Sequence, residues 1–85
     1  MRVHEVTITQ VLHPQDLQTV AQKANLFRSD IVLKLEKEGL EFDAKSILGM
    51  MLLSIPQGTR VRIQTRGNDE EEAIEMMCHL LENNK

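Results

Sequence analysis

The 85 residues carry 41% hydrophobic and 27% charged side chains, a balance that suits one small soluble domain spanning 1–85 and argues against disorder. A net charge of −3, with two phenylalanines and no tryptophan or tyrosine, lacks the basic footprint and stacking platform of a nucleic-acid binder, so no direct nucleic-acid partner is expected. The single cysteine, Cys78, excludes an internal disulfide; with no signal-peptide pattern at Met1–Ile8 and no apolar run of membrane-span length, a cytoplasmic location without membrane insertion is expected.

Arg2 to Thr9 alternates, with Val6 and Ile8 on one face and Glu5 and Thr7 on the other, as in a half-buried strand. A helix follows, in which Leu17, Val20, Ala21, Ala24 and Phe27 fall on one stripe. Pro14 suits its first position, Asp16 suits the positive end of its dipole, and His13 stands at the N-cap. Ser29-Asp30 breaks the helix. Ile31, Leu33 and Leu35 then alternate with polar or outward positions in a second strand, Lys37-Glu-Gly39 makes a tight connection, and Leu40 to Ala44 returns as a third strand.

Ser46 stands directly before the apolar run Ile47, Leu48, Met50, Met51, Leu52 and Leu53, which ends at Pro56 and Gly58. A short helix capped by the serine is predicted there, and it carries more apolar groups than one helix face can hide. Lys45 places a cation next to the serine in sequence, and a phosphate on Ser46 would meet the positive end of the helix dipole. Thr59 to Thr65 is the clearest strand, with Val61 and Ile63 inward. Gly67-Asn68-Asp69 opens the last helix, where Asp69 with Glu72, or Asn68 with Glu71, can form a capping arrangement, and Ala73, Ile74, Met77, Leu80 and Leu81 form the buried stripe. The order β-α-β-β-α-β-α, with apolar faces to one side, predicts an α+β fold in which three helices cover one face of an antiparallel sheet.

The chemistry-bearing residues are few. His4 lies in a strand and His79 late in a helix, neither with a cysteine or histidine partner at ligand spacing. Cys78 and His79, adjacent on a helix, point about 100° apart and chelate poorly. Asp69 to Glu72 reads as a solvated helix start, and Cys78, with no base nearby in sequence, as a small buried side chain. No metal site and no cofactor are expected. His13 differs, because a helix N-cap places its imidazole next to free backbone N–H groups, where a phosphoryl group is favoured. On its own, though, a plain capping role is the better account of its position.

Three stretches together carry a resemblance: Lys45-Ser-Ile-Leu-Gly-Met-Met51, Gln22-x-Ala-Asn-x-Phe-x-Ser-Asp-Ile31, and the strand-Gly-x-Asp-Glu-x-x-Ala pattern ending at Ala73. They cover nearly the whole chain. The sequence resembles the HPr family, the small phosphocarrier proteins of the bacterial sugar phosphotransferase system, and in particular its regulatory Crh-like branch. The resemblance implies an open-faced β-sandwich built on a four-stranded antiparallel sheet, and a protein without enzymatic turnover of its own. It implies two phosphorylation sites. Ser46 corresponds to the regulatory serine, phosphorylated by an ATP-dependent HPr kinase/phosphorylase. The product binds a LacI-type catabolite regulator, with Lys45, Ile47, Leu48 and Met51 among the partner-binding residues. His13 corresponds to the phosphohistidine, charged through enzyme I from phosphoenolpyruvate and discharged to sugar-specific components.

An ungapped alignment from Ser46 instead places Gln15 at the histidine position, as in Crh. Aligning on Gln22, Ala24, Asn25, Phe27, Ser29 and Asp30 selects His13, with the length difference in the hairpin between Leu33 and Phe42, where insertions are tolerated. Gln15 is retained as a partner-binding residue. The family's Ala-Arg-Pro after the histidine is here Pro14-Gln15-Asp16. Pro14 removes a donor, Gln15 removes the cation, and Asp16 adds a negative charge that would cost a bound phosphoryl group on the order of a kcal/mol. The serine motif is better kept than the histidine motif. The resemblance therefore favours the regulatory role, ahead of the carrier role and of a paralogue that docks without being phosphorylated.

Overall fold

The computed structural model describes residues 1–46 and 54–82. Their order is β1 (Arg2–Thr7), α1 (Pro14–Ala24), β2 (Asp30–Leu35), β3 (Leu40–Asp43), β4 (Arg60–Arg66) and α2 (Glu70–Glu82). The strands form one sheet in the order β1-β4-β2-β3, with every neighbouring pair antiparallel. The predicted four-stranded antiparallel sheet is therefore the one observed. The helix predicted after Ser46, with Ile47, Leu48 and Met51, lies outside the described residues.

Alternation along the strands gives the sheet a dry face and a wet face. In β4, Val61, Ile63 and Thr65 are buried while Arg60 and Arg66 are exposed. Ile31, Leu33 and Leu35 of β2 point to the same dry side, opposite Thr65, Ile63 and, across β3, Leu40. Both helices complete that core, α1 with Leu17, Val20, Ala21 and Ala24, and α2 with Ala73, Met77 and Leu81. Full burial of each large aliphatic side chain here contributes about 1.5–3 kcal/mol. The opposite face stays open and polar. Arg62 there spans Glu5 of β1 at 3.0 Å and Glu36 at 2.6 Å, and Lys34 pairs with Glu41 at 3.5 Å.

Several boundaries differ from the periodic reading. The stripe of α1 stops at Ala24 instead of running on to Phe27, because Asn25 ends the helix and its side-chain amide donates to the Ala21 carbonyl at 2.8 Å. Phe27 still packs against the core, but from the loop. Asp69 does not act with Glu72 as a cap. Its carboxylate turns away to the loop after α1, while Glu70, the first residue of α2, accepts the Gly67 N–H at 3.1 Å. The β2–β3 connection turns at Gly39, whose φ of 68° lies in the left-handed region open to glycine.

Candidate phosphorylation sites at the two ends of α1

His13 is the residue from which α1 starts. Its backbone is extended, with φ −82° and ψ 165°, and its carbonyl accepts the first helical bond from Leu17 at 3.1 Å. Pro14 follows at the first helical position, where a missing N–H costs least. The preceding chain is fixed from outside the helix. Leu12 exchanges two backbone hydrogen bonds with Ile55, at 2.8 and 2.9 Å, and Ile8 exchanges bonds with Thr59 and Gly58. Leu12, fully buried, anchors this ladder in the core, which leaves the exposed His13 at a rigid corner.

The charge around that corner comes from Asp16. Its Oδ2 accepts the backbone N–H of His13 at 2.9 Å, one arm of a capping box. Gln15, exposed and neutral, occupies the intervening turn. The helix start thus offers an imidazole to solvent, but the anion it favours is already supplied by its own carboxylate.

Ser46 belongs to the other end. The chain leaves β3 through a turn in which Asp43 Oδ1 accepts the Lys45 N–H at 2.9 Å and the Asp43 carbonyl accepts the Ser46 N–H at 3.0 Å. That turn is tied to the C-terminus of α1 twice. Asn25 donates its side-chain amide to the Lys45 carbonyl at 3.0 Å, and the Lys45 ammonium donates to the Phe27 carbonyl at 2.8 Å. A cation at this end complements the negative pole of the helix. Lys45, half-buried, is therefore directed to the end of α1 and not to the neighbouring serine, while Ser46 itself is exposed. Ile47, Leu48 and Met51, expected from the sequence to bind partners, lie outside the described residues.

The structure does not bring His13 and Ser46 together. One sits at the N-terminus of α1 and the other in a turn bonded to its C-terminus, so the 11 residues of the helix, about 16 Å of rise, separate the two anchoring points.

Sequence reasoning missed the clasp between the loops that flank α1 and α2. Asp69 accepts the backbone N–H groups of Arg28 and Ser29, each at 2.9 Å, and the Ser29 hydroxyl. The hydroxyl bond, followed by the backbone bonds, holds the Asp69 carboxyl at about 2, well below its ordinary 3.8. Gly67 lies against this clasp with φ 150°, and a Cβ there would stand 2.8 Å from the Ser29 Cα. The Ser29-Asp30 and Gly67-x-Asp69 stretches of the sequence thus belong to one structural unit. In the sequence each looked like a helix boundary and belonged to a family motif, and neither signal pairs the two stretches.

Elsewhere, Cys78 is half-buried, and desolvation, with a smaller effect from the Glu82 charge, pushes its thiol upward. No helix among the described residues is long and apolar enough to cross a membrane.

Comparison with known proteins agrees with this architecture. The family pattern described as "PTS HPr component phosphorylation site" matches residues 2–83. The HPr-like protein Crh of Halalkalibacterium halodurans is 38% identical over 78 residues, covering 92% of this chain and 90% of the relative. The phosphocarrier protein HPr of Xylella fastidiosa is 38% identical over 85 residues, covering 98% and 93%. Among solved structures, the phosphocarrier protein HPr from Bacillus anthracis superposes with a TM-score of 0.84 at 31% identity, over 95% of this chain and 96% of that one. With a sequence match over nearly its full length and the same sheet and helix arrangement, the chain belongs to the HPr family.

Proposed function

We propose that this protein is a phosphorylatable module of the phosphoenolpyruvate-dependent sugar phosphotransferase system, acting chiefly in regulation through Ser46. It is a substrate and docking partner and not an enzyme. The observation that carries this reading is the contrast between the two ends of α1. At Ser46 the backbone is held by the Asp43 turn while the side chain is exposed, and the surrounding Lys45-Ser-Ile-Leu-Gly-Met-Met51 motif is kept. At His13 the Asp16 carboxylate already occupies the backbone N–H, and neither Pro14 nor Gln15 supplies a charge-assisted donor.

In the regulatory reaction an HPr kinase/phosphorylase transfers the γ-phosphoryl group of ATP to the Ser46 oxygen. The O–P bond to ADP breaks as the new one forms, and a base on the kinase takes the hydroxyl proton. The phosphoserine, together with Ile47, Leu48 and Met51, then engages a LacI-type catabolite regulator. Similarity to Crh of Halalkalibacterium halodurans supports this role.

A second reading keeps His13 as a carrier between enzyme I and sugar-specific components. The exposure of its ring at the N-terminus of α1 favours it, as does the similarity to the Xylella fastidiosa phosphocarrier. Intact mass measurement separates the readings after incubation with phosphoenolpyruvate and enzyme I, or with ATP and the kinase. An acid-stable phosphate absent from Ser46→Ala is the expected result. An acid-labile phosphate alone, absent from His13→Ala, would establish the carrier instead. No phosphate from either cognate system would overturn both readings and leave a docking paralogue.

A further inference from the structure

We propose that His4, Cys78 and Glu82 form a zinc-binding site in the groove between β1 and α2. The three residues are far apart in sequence, and the fold makes the cluster. In β1 the alternation that buries Val6 also turns His4 toward the helices, opposite the buried Ile63 of β4. On α2, Cys78 and Glu82 are four residues apart and share the face that meets β1. One donor atom from each of the three lies within 4.8 Å of the other two. His4 Nε2 and Glu82 Oε1 are 3.7 Å apart.

This donor set is selective. Thiolate, imidazole and carboxylate are the ligand types zinc takes in tetrahedral sites, and a soft sulfur ligand disfavours magnesium and calcium. Metal–ligand bonds of about 2.0–2.3 Å place tetrahedral donors roughly 3.3–3.8 Å apart, so the cluster has to close by about 1.5 Å at most. His4 and Glu82, with side chains 53% and 44% exposed, have the rotamer freedom to do so. The groove they border has a volume of about 490 Å³ and is also lined by Glu75 and His79, neither of which places a donor atom in the 4.8 Å cluster, so a fourth position is left for water. Arg2 also lines the groove, and its charge is paired with Glu70 at 3.6 Å and Glu71 at 3.5 Å. On binding, the Cys78 S–H bond breaks, a sulfur–zinc bond forms, and the proton leaves to solvent. The ion would join the edge strand to the last helix.

The test uses the reduced full chain, titrated with Zn²⁺ against a chromophoric chelator and with Co²⁺ alone as a spectroscopic probe. The expected result is one metal per chain, a thiolate-to-cobalt charge-transfer band in the near ultraviolet, and a thermal midpoint raised by Zn²⁺. Cys78→Ser should abolish the band. His4→Ala and Glu82→Gln should each weaken binding at least about tenfold, and His79→Ala should leave binding unchanged. Circular dichroism of each variant without metal establishes that it is folded, and the conservative Glu82→Gln keeps the test valid if His4→Ala is not. Absence of metal uptake by the parent chain would overturn the proposal. So would binding undiminished in folded His4→Ala, or binding lost in His79→Ala, which would assign the metal to the adjacent Cys78-His79 pair.

Discussion

Asp16 holds the backbone N–H of His13 at 2.9 Å, and Gln15 beside it has no charge with which to balance a second anion. A phosphoryl group on His13 would gain from the helix dipole and lose to the carboxylate. Gln15→Arg should tip this balance, since hydrogen bonds to charged groups contribute about 1.5–3 kcal/mol, or roughly tenfold and more in rate if realised in the transition state. The expected outcome is at least a tenfold faster enzyme I-dependent phosphorylation in a rapid-quench assay. An unchanged rate would mean that the missing arginine is not what limits the site. A second residue-scale effect belongs to Gly67. A methyl group there meets the Ser29 backbone at 2.8 Å on a chain with φ 150°. Gly67→Ala should therefore lose about 1–3 kcal/mol in urea denaturation through crowding and backbone strain.

At the scale of elements, α1 is the spacer between the two candidate sites, and its ends are held by different chemistry. The N-terminus is anchored by the Leu12–Ile55 bridge and the Asp16 cap, and the C-terminus by Asn25 and Lys45. Lys45 therefore has a structural task besides any role toward partners. Lys45→Met keeps much of the apolar stem and removes the bond to the Phe27 carbonyl, so stability should fall by about 0.5–1.5 kcal/mol. Urea unfolding checks this, and a variant as stable as the parent would show that the bond contributes nothing net in solution. Because the same lysine precedes Ser46, its loss should also loosen the turn that presents the serine to a kinase.

At the scale of the whole molecule, the acid response follows from the carboxylates whose partners exist only in the folded state. Asp69, held at about 2 by Ser29 and Arg28, is the strongest case. Glu70 is also lowered, first by the Met1 amino group at 3.0 Å and then by the Gly67 N–H. The folded-state values lie below the unfolded ones, so this stabilisation is fully present above the unfolded values, 3.8 for Asp69 and 4.5 for Glu70, and is lost as pH falls below them toward 2. Thermal midpoints measured from pH 6 to pH 2 should decline most steeply below 4. In Asp69→Asn the starting midpoint should be lower and the decline shallower. A parallel decline in parent and variant would remove Asp69 as its source. The ion pairs on the open sheet face, such as Arg62 with Glu5 and Glu36, are solvated and contribute little to this response.

Local patterning was enough to determine the strands and the faces they bury. The alternation of Val61 and Ile63, of Ile31, Leu33 and Leu35, and of Val6 and Ile8 reflects the two-residue period of a sheet with one dry side. The stripe of α1 and its start at His13-Pro14 were legible for the same reason, because periodicity and first-turn chemistry act between neighbours in the chain. The end of α1 was not, since Asn25, which ends it by donating to the Ala21 carbonyl, is itself held by the carbonyl of Lys45, twenty residues further on. Sequence likewise gave no sign that Asp69 clasps Ser29, or that His4 stands beside Cys78 and Glu82. Those associations depend on how loops and edges meet once the sheet is closed, and no periodicity encodes contacts between residues forty or more positions apart. The sequence by itself determined which faces of the strands and of α1 turn to the core, though Ile74 and Leu80 of the stripe expected on α2 are only partly buried, and it offered His13 and Ser46 as the candidates for a phosphate. Tertiary structure alone decided that those residues stand at opposite ends of one helix, each with its surroundings supplied by a different part of the chain.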